Sequence, residues 1–504
     1  MKMSKLTMVF LVTGIYFIIV TIIGIRANRG ATGTTTDYFL ADRKVSAVIS
    51  FFTLTASFYS AYLLMGAVGG YYTNGFGMTM AIAYCSAYGL WYWVLGGPIH
   101  LLGKKFGHST PADILGHYYQ SPGLGGLTAV MLIVFSVPYL AMQYSAIGAA
   151  FNMISDGAIS TQMGAVILGG VCCFYVFLGG FKSVAWTDFF QGAFFMIIAW
   201  ALGFYFLFKV GSVHNMFDAL IAADPALVSM PGPTGFYTWG VWLSFMLLYT
   251  VLPAIRPDTF QRAFAVKDLK SWKRACFHTS WALPVTYIIT MFTAFGLRVF
   301  VPDLQGTASE QALIAYFNMS NPLLGVFILT AAMAASMSTI DSMLLVTSQY
   351  LTEDGIRRFL PNKYSDQQLT RIGQIFTVLL TILAILCTFR KIDFMIIVTA
   401  LFYGFGCLIW PLLGAIIWPR GSKIGAYACI ISSCAIIAFL KLAGFGTYVG
   451  GLHFIAWGVL ISGVVYVVLS LMTPPPSDEM IEEYHGFLRR EFWSKFNKRA
   501  NKTK

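Results

Sequence analysis

An all-α polytopic membrane protein is the fold class this sequence predicts, and three observations predict it. Hydrophobic residues fill 57% of the 504 positions and charged residues only 11%, where ordinary soluble domains carry about 25% charge. Mean hydropathy is +0.71. The apolar residues gather in runs of about 20 or more, the length that crosses a hydrocarbon core, where a helix satisfies its own backbone polar groups. The net charge of +12 falls mostly in short loops and the C-terminal tail, where it sets orientation and does not indicate nucleic acid. Eight cysteines are scattered without a C-x-x-C pair, so neither a disulfide framework nor a zinc site is read.

Leu6–Ile25 is the first apolar run, too long for a signal-peptide core and therefore a membrane helix. A basic loop with Y-F-L-A-D-R-K (38–44) follows. Val45 to Gly103 holds no Asp, Glu, Lys or Arg, enough for two crossings, with Gly69-Gly70 and Asn74-Gly75 supplying the turn. Lys104, Lys105, His108, Pro111 and His117 mark a polar loop. A helix is expected from about Gly125 to Met153, another ending at Gly179-Gly180-Phe181-Lys182, and a third from Trp186-Thr187-Asp188 to Lys209. The proline-bearing stretch 210–234 is extramembrane. Further helices are expected at Phe236–Ile255, Ala275–Leu297, Pro322–Thr352, Ile372–Phe389, Phe394–Trp418, Ile424–Leu440 and Gly451–Leu471. That makes about 13 transmembrane helices. Lys and Arg crowd alternate loops and the tail, which puts the N-terminus outside and the C-terminus in the cytoplasm. Arg256 and Arg262 are assigned to this loop charge. The basic, aromatic tail reads as a solvated segment, with anionic lipid as the alternative.

The stretch with chemistry is Ala331–Ser342, A-A-M-A-A-S-M-S-T-I-D-S. On a helix Ala335, Ser338, Thr339 and Ser342 share a face, since positions three and four apart are neighbours. Asp341 adds a carboxylate. Two readings stand. Small and hydroxylated residues pack membrane helices closely. A strip of oxygens at membrane depth with one acid also suits a hard cation.

Taken with T-E-D at 352–354, Y-F-L-A-D-R-K at 38–44, F-L-G-G-F-K-S at 177–183 and W-T-D-x-x-Q at 186–191, in this order, that stretch resembles the sodium:solute symporter family, over about residues 5–475. No P-loop, G-x-S-x-G or H-E-x-x-H competes. The resemblance implies a leucine-transporter-like fold of two inverted five-helix repeats. The expected division is 1–44 for an extra helix and loop, 45–211 and 212–419 for the repeats, 420–472 for two extra helices and 473–504 for a basic cytoplasmic tail. It implies a sodium site made by the carbonyls of Ala56, Tyr59 and Ala335 with the hydroxyls of Ser338 and Thr339. Carbonyl ligands require an unwound turn, which no Gly or Pro at 56–59 announces. A second cation site in some members points to Asp188, Ser338, Asp341 and Ser342. Here Asp341 replaces a hydroxyl, so the acid pair binds a cation or shares a proton. Without an ion, Asp188 reads as a helix N-terminal acid and Asp341 as a hydrogen-bonded one.

For the substrate pocket the candidates are Phe58, Tyr62, Gln143 and Tyr249. Each also reads as a packing residue. Proline-transporting members carry an acid where Phe58 stands, and the tone of 250–265 is nearer to carboxylate and pantothenate transporters. The expectation is a sodium-coupled importer of a small organic solute such as a monocarboxylate or pantothenate. It is multi-pass in the cell (inner) membrane, with sodium as its only metal and a monomer as functional unit. An amino-acid or sugar symporter and a transporter-like sensor are the alternatives. A channel lacks its charged or carbonyl rings, and no nucleophile–base constellation marks an enzyme.

Overall fold

Hydroxyl and carboxylate caps punctuate the chain into helices. The computed structural model describes residues 5–302, 304, 307–389 and 406–494. Ser46 accepts from the Ile49 N–H to start one helix and Ser160 from the Met163 N–H to start another. Thr110 and Ser365 make full capping boxes with Asp113 and Gln368, each satisfying backbone donors that have no helical partner.

In order, the helices are α1 (Lys5–Ala27), α2 (Thr35–Leu40), α3 (Ala47–Tyr59), α4 (Gly66–Asn74), α5 (Met80–Phe106), α6 (Pro111–Tyr118), α7 (Pro122–Ile154), α8 (Thr161–Val210) and α9 (Val213–Ala223). There follow α10 (Trp239–Val251), α11 (Pro257–Ala265), α12 (Leu269–Phe300), α13 (Thr307–Ser320), α14 (Pro322–Gln349) and α15 (Asp366–Cys387). Last come α16 (Ile409–Ile416), α17 (Lys423–Leu442), α18 (Phe454–Met472) and the short α19 (Asp478–Ile481). Among the described residues eight helices are long and apolar enough to cross a membrane. A ninth is formed if Trp239–Ile255 and Pro257–Ala265, bent by 43°, count as one. The expected helix at Phe394–Trp418 lies partly outside the described residues, as do the tail's basic residues from Lys495 onward.

Three interruptions position the site. Between α3 and α4 the chain unwinds over 60–65, with Ser60 at φ 48° and ψ −174°. Inside α8, Gly180 takes φ 51° and ψ −142°, a conformation that suits glycine. A Cβ there would meet the Tyr38 carbonyl oxygen at 2.2 Å. The third is the bend between α10 and α11. The sequence reading ends a helix at Ile255, where the first limb stops, but places no helix over Pro257–Ala265, although Pro253 and Pro257 stand at the break. The turn at Asn74-Gly75 is present, with Gly75 at φ 54°. Gly69-Gly70 instead lies inside α4, where the missing side chain lets the Glu310 backbone approach.

Helix α14 is the axis of the molecule. Every residue from Ile328 to Tyr350 is buried, as expected of a helix that packs on all sides. Helices α3, α7, α8, α13 and α15 surround it. The tail departs from its solvated reading: Tyr484, Leu488 and Phe492 are buried against α5 and α6. Tyr484 stacks on Phe106 at 4.9 Å, and Phe492 meets Trp93 at 5.0 Å. Burial of these three side chains outweighs solvation once a matching apolar surface is in reach.

Candidate cation and solute site

The crossing of α3 with α14 places oxygens from both helices together. The Ser338 hydroxyl donates to the Ala56 carbonyl at 3.1 Å and lies 2.9 Å from that of Ala335. The Thr339 hydroxyl donates to the Ser57 carbonyl at 3.0 Å and lies 3.3 Å from that of Ala335. Carbonyls near the end of α3 are free to accept because the helix stops at Tyr59. Tyr59 closes that end, its carbonyl accepting the Leu63 N–H at 3.2 Å. Ala56, Ala335, Ser338 and Thr339 thus share one buried cluster, and Tyr59 flanks it one turn away.

Below lies a second cluster with more charge. Asp188 is fully buried, well inside α8 and beyond the Gly180 kink, so the helix-terminus reading of it is corrected. Its Oδ2 accepts from the Thr53 hydroxyl and, at 3.1 Å, from Nη2 of Arg262. That Nη2 also reaches Oγ of Ser57 at 2.5 Å and of Ser342 at 2.6 Å. Arg262 further gives Nε to Thr53 at 2.9 Å and Nη1 to the Asp258 carbonyl at 2.8 Å. Asp341 accepts from the Tyr175 hydroxyl at 2.8 Å, from Thr187 at 3.4 Å and from Ser342 at 3.3 Å. The assignment of Arg256 and Arg262 to loop charge does not hold. Arg262 is 1% exposed, and Arg256 is 9% exposed and forked onto Asp258 at 3.0 and 3.1 Å.

Of the solute candidates, two meet the same wall. Phe58 sits edge-on to Tyr88 at 4.7 Å, and Tyr249 stacks on Tyr84 at 5.0 Å. Tyr84, Tyr88 and Tyr92 form a ladder along α5 with centroids about 6 Å apart. Sequence reasoning passed over that i, i+4, i+8 spacing. Tyr62 lies in the unwound stretch, 38% exposed, its N–H bonded to Ser60. Gln143 belongs to another helix pair: on α7, it accepts from Ser336 of α14 at 3.4 Å.

With this geometry in view, the comparisons with known proteins are specific. The family model described as "Sodium:solute symporter family" matches residues 38–433. The sodium/pantothenate symporter of Escherichia coli (strain K12) is 27% identical over 466 residues, covering 90% of this chain and 94% of its own. The high-affinity proline transporter of Bacillus subtilis (strain 168) is 25% identical, covering 90% and 96%. Among solved structures, a substrate-bound, outward-open sodium-coupled sialic acid symporter superposes with a TM-score of 0.81 at 17% identity, over 93% of this chain and 98% of that one. A nucleobase-cation-symport-1 family transporter in a closed conformation gives 0.58 at 12% identity, over 90% and 99%.

Proposed function

Since the chain belongs to the sodium:solute symporter family, we propose that it imports a small organic solute, a monocarboxylate or pantothenate, on an inward sodium gradient. The observation that carries the proposal is the convergence of the Ser338 and Thr339 hydroxyls on the carbonyls of Ala56 and Ser57. Such a set of oxygens suits a hard cation. It lies where α3 unwinds, and irregular backbone at membrane depth is tolerated where it lines a site. Ala56, Tyr59, Ala335, Ser338 and Thr339 are the sodium ligands in this reading. Asp188, Ser338, Asp341 and Ser342 form a lower cation site.

The wall of Phe58 and Tyr249 against the α5 tyrosines, with Tyr62 in the unwound stretch and Gln143 across α14, takes the solute. Residues 45–211 and 212–419 act as two repeats of opposite orientation around the site, in a monomeric unit, with the C-terminus cytoplasmic. A carboxylate solute is favoured by the pantothenate relative and by Phe58 at the position where proline-transporting members carry an acid. An amino acid is the second reading, because the proline transporter matches over an equal share of the chain.

Uptake of radiolabelled pantothenate, lactate, proline and glucose into proteoliposomes, with sodium or potassium outside, tests the proposal. Sodium-stimulated uptake of pantothenate or lactate is expected. Stimulation of proline or glucose alone would transfer the solute class. The absence of any sodium effect would overturn the coupling.

A further inference from the structure

The lower cluster already contains a cation. Nη2 of Arg262 lies within 2.5 to 3.1 Å of Ser57 Oγ, Ser342 Oγ and Asp188 Oδ2. These are oxygens from three helices, the kind of ligand a bare cation would gather. A guanidinium stays protonated at any physiological pH. Arg262 sits on α11, past the bend, and ties it to α3, α8 and α14 at one point.

We infer that Arg262 is the resident cation of the lower site, a tethered charge that takes the place of a second sodium, so that one sodium moves with each solute. This rests on the sodium-symporter reading given above. Three observations carry it. First, a free cation entering beside a buried guanidinium would be repelled at a distance where no water screens it. Second, the charges are nearly matched without a second ion. Arg262 and Arg256 together face Asp188 and Asp258, Arg262 reaching both, which leaves Asp341, within one turn of Ser338, as the carboxylate without an arginine of its own for a single sodium. Third, the contact between Arg262 and Asp188 is one-toothed. Asp188 Oδ1 has no hydrogen-bond partner among the described residues, whereas Arg256 grips Asp258 with both oxygens. A one-toothed pair is the weaker kind. It is the one able to part when α11 moves against α8, without releasing an ion to the cytoplasm.

Equilibrium binding of radioactive sodium to the purified full chain in detergent tests this without knowledge of the solute. Wild type is expected to bind one sodium per chain with a Hill coefficient of one. Arg262→Gln leaves Asp188 buried without its cation and is expected to bind two. Arg262→Lys keeps a tethered charge and is expected to bind one. Arg262→Gln with Asp188→Asn is expected to return to one. Two sodium ions on wild type or on Arg262→Lys would overturn the inference while leaving the symporter reading intact. So would one sodium on a folded Arg262→Gln. If Arg262→Gln fails to fold, the counts for wild type and Arg262→Lys decide. No sodium on wild type would overturn the symporter reading and this inference with it.

Discussion

Ser338 and Thr339 each bridge two helices with one oxygen. Ser338→Ala with Thr339→Ala removes two hydroxyls and one buried methyl while keeping good helix formers. Sodium affinity is expected to fall at least tenfold, about 1.4 kcal/mol or more, with helix content unchanged by circular dichroism. An unaltered binding isotherm would remove these hydroxyls from the site. Arg358 makes a different kind of contact, donating to Asp354 at 2.7 Å and Asp113 at 3.0 Å, with Asp354 fully buried and Arg358 18% exposed. Arg358→Met strands a buried carboxylate. Breaking such a pair costs about 3–5 kcal/mol, and the partial exposure trims this to about 2. A lower midpoint in a thermal-shift assay is the expected result. The α14 oxygens are legible because they recur three and four residues apart on one helix. The Arg262–Asp188 pair is not: 74 residues separate the partners, and an arginine near a helix end reads first as loop charge.

At the scale of elements, breaks were harder to read than helices. The loss of helix at Ser60 has no Gly or Pro to announce it. It arises because the Ala56 and Ser57 carbonyls near the end of α3 accept from Ser338 and Thr339 of α14, 282 residues away in each case. Gly180 is the opposite case, a local signal with a local cause. Gly180→Ala would need φ 51° and would press on the Tyr38 carbonyl. A loss of about 1–3 kcal/mol is expected, read as reduced yield and a lower melting temperature. The docked tail is a third case, set by tertiary contact. The Tyr484 hydroxyl lies 2.8 Å from His108 Nε2 and 3.0 Å from His117 Nδ1, and His485 Nε2 lies 3.0 Å from the Tyr118 hydroxyl. Burial pushes His108 and His485 down to about 4 and lowers His117 as well. The docked state therefore favours neutral rings. Docking is at full strength above the ordinary histidine value of about 6.5 and is lost as the pH falls towards about 4. A spin label at Arg489→Cys is expected to gain mobility on acidification through that window, and His108→Gln to flatten the response.

For the molecule as a whole, the expected orientation rests on where the basic residues lie, and it is open to a direct check. Asp218→Cys on α9 is expected to react with an impermeant maleimide in intact cells, and Lys363→Cys only after permeabilisation. The reverse pattern would invert the topology. The fold class was readable because apolar runs of membrane length leave few alternatives. The packing of the last described residues was not, since a basic aromatic segment carries no mark of the surface it will meet. That packing has a practical side. Lys105 reaches over the Phe487 ring at 4.7 Å, and Phe492 fills the space above Gly97. Helix α5 thus has its C-terminal end covered by the tail, and its middle carries the tyrosine ladder. Shortening the chain before Ser477 to aid expression would leave Trp93, Gly97 and Phe106 bare to water. Anyone trimming this transporter for crystals or fusing a reporter to its end is working on one end of the rod that carries the tyrosine ladder.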